Sequence, residues 1–237
     1  MSFLTISKLI INSKDKLLVD LLKVTQIPLT IDHSLALVGQ SGSGKSITLK
    51  TILGLLSSNL DAQFSYKSNF NLTRENIGFI PQNPFTSLSP LTKIKKQFFQ
   101  SEEIVNNSLK TVGLDISIKD KFPSQLSGGQ LQRVVIAIIL ASKPKLLLLD
   151  EPTTALDSYN KKLILDLLQQ LQKEFNFLMI FISHDIESIK NITKNIAIIK
   201  DGTIIEYGST TTILKTPKHN YTKMLLDSNF INREFRV

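Results

Sequence analysis

SLALVGQSGSGKSITLKTILGLL, residues 34–56, reads as a strand, a glycine-rich loop and a helix in direct succession. LALV is a short apolar run without polar alternation, the pattern of a strand covered on both faces. Gly39–Ser46, GQSGSGKS, then matches G-x-x-x-x-G-K-[ST] in full, in the strand–loop–helix context that this motif requires. Its glycines let backbone N–H groups close on phosphate oxygens, and the helix N-terminus adds partial positive charge. Lys45 is expected to reach the β- and γ-phosphates of a nucleotide, and the Ser46 hydroxyl to ligate Mg²⁺. The phosphate-binding candidates are therefore Gly39, Gln40, Ser41, Gly42, Ser43, Gly44, Lys45, Ser46 and Ile47.

On the N-terminal side, FLTISKLII, KLLVDLL and IPLTI (within residues 3–31) read as short strands, which suggests an antiparallel β-subdomain over residues 1–35. On the C-terminal side, NIGFI, KLLLLD and FLMIFIS are short apolar strands with helical stretches between them. Such alternation indicates a parallel α/β core, placed over 36–85 and 145–210. NIAIIKDGTIIEYG predicts a hairpin turning at Asp201-Gly202. Residues 86–144 are assigned to a small helical subdomain and 211–237 to a C-terminal tail, all within one domain of 237 residues.

The composition excludes several chemistries. The chain has no cysteine, so disulfides, thiolate metal sites and cysteine nucleophiles are ruled out. The longest apolar run, VVIAIILA from Val134, has 8 residues, and a spanning helix needs about 18. The N-terminus MSFLTISK lacks the basic flank and apolar core of a signal peptide. The net charge of +8 fits nucleic-acid binding, docking beside an anionic membrane, or simply a solvated lysine-rich surface. The basic residues are scattered, which counts against nucleic acid.

A second carboxylate site stands at the end of KLLLLDEPTTALD, residues 145–157. A buried strand ending in Asp150 and Glu151 points to a cation or a proton-transfer task. Asp150 suits Mg²⁺ and Glu151 suits polarisation of an attacking water. Further upstream, Ser127-Gly128-Gly129-Gln130 has capping-box spacing before a helix that stops near Pro144. Capping accounts for the serine and the glutamine but not for the glycines, which weaken the first turn by up to about 2 kcal/mol together. Bare backbone at a helix start lets an anion approach closely, so Ser127–Gln130 is a second phosphate-binding candidate.

LSGGQ (126–130), the phosphate loop and LLLLDEPTTALD (146–157) together resemble an ABC-type ATPase, over nearly the whole chain. The resemblance implies a P-loop NTPase core that hydrolyses ATP with Mg²⁺. It also implies a second ATPase subunit facing the first head to tail, so that LSGGQ of one chain closes on the ATP of the other. By the same resemblance Gln82 in IPQNPF contacts Mg²⁺ and the attacking water and signals to membrane subunits. His184 in ISHD contacts the γ-phosphate, and Asp157 lies in the loop crossing the dimer interface. Glu151, His184, Lys45 and Gln82 are the implied catalytic set; Ser46, Gln82 and Asp150 are the implied metal set.

QNPFTSLSP (82–90) and TPKHNYTKMLL (216–226) are similar to segments of peptide and nickel importers. That branch implies two transmembrane permeases, an external solute-binding protein reached indirectly, no nucleic acid, and a peripheral position on the cytoplasmic face of the plasma membrane. Alternative readings are a nucleic-acid-associated ABC ATPase and a regulatory protein that binds without turnover; the intact Lys45, Asp150, Glu151 and His184 argue against the latter. The chain departs from the family pattern in three ways. Ser13 or Asn12 stands where an aromatic usually stacks on adenine, so weak discrimination between ATP and GTP is expected. The segment from Gln82 to Ser127 is short, and the C-terminal cysteine cluster of some peptide importers is absent.

Overall fold

The computed structural model describes residues 2–14, 22–24 and 29–234. In chain order the elements are β1 (Leu4–Ser13), β2 (Leu22–Val24), β3 (Leu29–Ile31), β4 (Ser34–Val38), α1 (Lys45–Ile52), β5 (Leu60–Ser68) and β6 (Ile77–Ile80). There follow α2 (Ile94–Gln97), α3 (Glu102–Thr111), α4 (Gly128–Ala141), β7 (Leu146–Asp150) and α5 (Ser158–Phe175). The last are β8 (Leu178–Ser183), α6 (Ile186–Lys190), β9 (Asn195–Lys200), β10 (Thr203–Ser209), α7 (Thr210–Lys215) and α8 (Asn220–Glu234). The chain divides into two compact units, residues 1–73 with 178–237, and residues 74–177. Among the described residues no helix is long and apolar enough to cross a membrane.

In the first unit, β4 pairs in parallel with both β8 and β9. All of β4 and all of β8 are buried, as expected of central strands packed on both faces. The antiparallel part gathers around β1, which pairs with β2, β3 and β5. Most of KLLVDLL and the first two residues of IPLTI lie outside the described residues. Residues 60–68, placed with the core by their position after the phosphate loop, join the antiparallel strands instead. Their side chains alternate between half-buried and exposed over most of the strand, the pattern of a strand with one covered face. The hairpin forms as its sequence predicts: β9 and β10 are antiparallel, and Asp201 (φ 48) and Gly202 (φ 74) are both left-handed, as a type I′ turn demands.

In the second unit, β6 and β7 pair in parallel, and α4 packs on β6, α3 and α5. Gly78 permits that approach, because a Cβ there would collide with Ile139 of α4. Four leucines of β7 are fully buried and carry Asp150 to the strand's end.

Candidate functional site

The phosphate loop leaves β4 at Gly39 and enters α1 at Lys45. Gly42 (φ 79) and Gly44 (φ 102) hold left-handed backbone that other residues adopt only under strain. Gly39 has a different reason to be glycine: a Cβ there would strike the Ile199 carbonyl oxygen and approach Ser43 Oγ to 2.9 Å. Lys45 is 5% exposed, and its ammonium donates to the carbonyls of Gly39 and Gln40, both at 2.8 Å. These two carbonyls tie the ammonium to the loop. Gln40, Ser41 and Ser46 are exposed, Ser43 is buried and Ile47 is half-buried. Helix α1 is shorter than the apolar pattern predicts, since Gly54 turns left-handed (φ 66) just beyond its C-cap.

His184 is exposed and follows β8 in the same unit. Its neighbours fix the turn: the Asp185 N–H donates to Ser183 Oγ at 2.9 Å, and the Ser188 hydroxyl donates to Asp185 Oδ2 at 2.9 Å. The C-terminal segment also reaches the loop. The Gln40 N–H donates to the Tyr221 hydroxyl at 3.2 Å. No local signal in the sequence links these residues, which lie 181 positions apart.

The second unit brings Gln82 and Glu151 together. The Gln82 amide donates to Glu151 Oε2 at 3.4 Å, and the Thr154 hydroxyl donates to the same oxygen at 3.1 Å. Thr154 escaped the sequence reading, although a threonine three residues on within a turn is a recognisable side-chain partner. Both Asp150 and Glu151 are half-buried.

The capping box forms as its spacing predicts. Ser127 Oγ accepts from the Gln130 N–H at 3.3 Å, and Gln130 Oε1 accepts from the Ser127 N–H at 3.1 Å. The two glycines part company. Gly128 has only Leu156 near its absent Cβ, at 3.7 Å. At Gly129 a Cβ would collide with the Asn160 side chain. Asn160 cannot swing away cheaply, because its amide donates to Asp157 Oδ2 at 2.6 Å while its N–H donates to Asp157 Oδ1 at 2.9 Å. Asp157 therefore caps α5, and these bonds, the backbone one foremost, hold its carboxyl below the usual range.

Ser46 in the first unit offers a hydroxyl, and Gln82 and Asp150 in the second offer an amide oxygen and a carboxylate, each an oxygen donor of the kind a hard cation takes. No group of three or more His, Cys, Asp or Glu that could hold a metal occurs among the described residues. Oxygen donors of these types suit Mg²⁺ carried in with nucleotide phosphates.

Residues 22–154 match the family model described as ABC transporter. The Staphylococcus aureus metal-staphylopine import system ATP-binding protein CntD is 36% identical over 236 residues, covering 88% of this chain and 87% of that protein. The Streptococcus pneumoniae oligopeptide transport ATP-binding protein AmiE is 36% identical over 243 residues, covering 91% and 68%. Among solved structures, CbiO1 from Clostridium perfringens, part of the ABC transporter complex CbiONQ, superposes with a TM-score of 0.76 at 26% identity, over 99% of this chain and 95% of that one.

Proposed function

This chain belongs to the ABC transporter family, and from that premise we propose that it is the ATP-hydrolysing subunit of an importer of the peptide/nickel class. The relatives named for oligopeptide transport and metal-staphylopine import support a cargo of short peptides or metal chelates. The observation that carries the hydrolytic reading is the Glu151 carboxylate, fixed by Gln82 and Thr154 at the end of the buried strand β7.

ATP phosphates take the place of the Gly39 and Gln40 carbonyls as partners of Lys45. The amides of Gly39–Ser46 cradle the phosphate oxygens, and Ile47 closes the first turn behind them. Ser46, Asp150 and Gln82 would be the residues that hold Mg²⁺, which would supply charge neutralisation at the phosphates. Glu151 orients and polarises the attacking water, and His184 donates to the γ-phosphate. Ser127, Gly128, Gly129 and Gln130 face the ATP of a second ATPase subunit, with Asp157 at that interface. Gln82, which touches Glu151, relays the state of the site to two permeases at the cytoplasmic face of the membrane. An external binding protein delivers the cargo.

Glu151→Gln is expected to bind ATP normally, lose turnover by at least about 100-fold and accumulate a closed dimer on size-exclusion chromatography. Lys45→Ala should lose ATP binding by calorimetry. Normal turnover in the first variant removes the general-base role; tight binding in the second removes the phosphate-loop role.

A further inference from the structure

The sequence TPKHNYTKMLL serves no step of the hydrolysis above, yet the fold anchors it with unusual care. Glu206 on β10 is 9% exposed. Its carboxylate accepts from the Lys218 N–H at 2.9 Å, the His219 N–H at 3.2 Å and the Thr222 hydroxyl at 2.6 Å. Next along, His219 Nδ1 accepts from the Tyr221 N–H at 3.1 Å. One buried carboxylate thus gathers three donors and fixes the turn into α8.

What that turn delivers is a phenol. Tyr221 is 8% exposed, the Lys200 ammonium sits 5.3 Å from its ring centroid, and its hydroxyl accepts from the Gln40 N–H. The adjoining Ile199 carbonyl is the group that leaves no room for a Cβ on Gly39. The loop entrance is therefore held on one side by Ile199 and on another by Tyr221. The Gln40 carbonyl, in turn, accepts from Lys45 and from the Ser43 N–H at 3.2 Å. A shift of Gln40 consequently moves an acceptor of the ammonium itself.

We propose that Tyr221 is a positioning residue for the phosphate loop, through which the Glu206-anchored segment 216–226 sets the loop's affinity for nucleotide. The inference rests on residues 39–46 being the nucleotide site. A preorganised loop gains affinity because less ordering remains to be done on binding, and one hydrogen bond of ordinary strength corresponds to about fivefold in affinity.

The test uses the full chain, well below its unfolding temperature, with calorimetric Mg-ATP binding and amide exchange at Gln40. Tyr221→Phe keeps the ring and removes the acceptor. It should weaken ATP binding about three- to tenfold and speed exchange of the Gln40 amide. Glu206→Gln should do the same, and the double variant should lose no more than the worse single one, since both act through one contact. Wild-type affinity in Tyr221→Phe, weaker binding without faster Gln40 exchange, or additive losses in the double variant would each overturn the proposal. Lys45→Ala separates this from the wider reading: if it abolishes binding while Tyr221→Phe does nothing, only the role of Tyr221 falls.

Discussion

Glu151 sits at φ 48, backbone that costs an ordinary L-residue about 1–2 kcal/mol. Strain of that kind persists where surrounding contacts over-determine it, and here Gln82 and Thr154 grip the side chain while its carbonyl accepts from the Thr154 N–H at 3.2 Å. The two glycines at the start of α4 show the same distinction between packing and chemistry. The reading of bare backbone for an approaching anion treats Gly128 and Gly129 alike. The structure gives Gly129 a packing reason, Asn160, that no local pattern reveals, whereas at Gly128 a Cβ would meet only Leu156, at an ordinary contact distance of 3.7 Å. Gly128→Ala should therefore raise the stability of the isolated chain by up to about 1 kcal/mol through helix propensity while impairing ATP-driven pairing. Gly129→Ala should lower stability by about 1–3 kcal/mol through overpacking. Urea unfolding of both variants checks this; a destabilised Gly128→Ala would mean that Leu156 does not make room for the added methyl.

At the scale of elements, what the sequence made legible follows periodicity and punctuation. Strands β4, β7 and β8 are continuous apolar runs, the hairpin turn is an Asp-Gly pair, and α4 opens on a capping box. The edge strand β5 was not legible, because LDAQFSYKS is largely polar and becomes a strand only by pairing with β1. Nor could spacing reveal Gln132, which lies fully buried in α4 with neither side-chain amide atom hydrogen-bonded to any described residue. An unsatisfied buried amide costs about 1–3 kcal/mol. Gln132→Met, of similar length and apolar, is accordingly expected to stabilise the chain by about 1–2 kcal/mol in denaturant titration. A loss of stability instead would show that the amide finds partners in solution.

For the whole molecule, the shifted side chains make stability a function of pH with one dominant sign. Hydrogen bonds from Lys194 to Asp32, Lys119 to Glu102, Ser117 to Asp115 and Lys95 to Asp120 hold those carboxyls below their usual range. Burial alone would raise Glu206, but the bonds from Thr222, Lys218 and His219 outweigh it and lower that carboxyl too. Burial, then Lys194, lowers His33. In every one of these groups the unfolded chain takes up the proton first, so stability is present above the unfolded pKa and is lost as pH falls through the folded one. Among the described residues Lys95 alone is raised, through Asp120, and its contribution disappears only as pH rises past the ordinary lysine range. Unfolding free energy should thus be level from about pH 7 to 9, decline below about pH 6.5 with His33, and fall most steeply near pH 4 and below. Salt then divides the acid limb. The exposed Lys95–Asp120 and Lys194–Asp32 pairs are screened at high ionic strength, whereas the buried hydrogen bonds of Glu206 are not. In about 0.5 M salt the remaining acid slope should be carried by the carboxyls that uncharged donors hold, Glu206, Asp115 and Asp157, and Glu206→Gln should lower it. An unchanged slope in that variant would mean that the C-terminal turn is held by something other than this carboxylate.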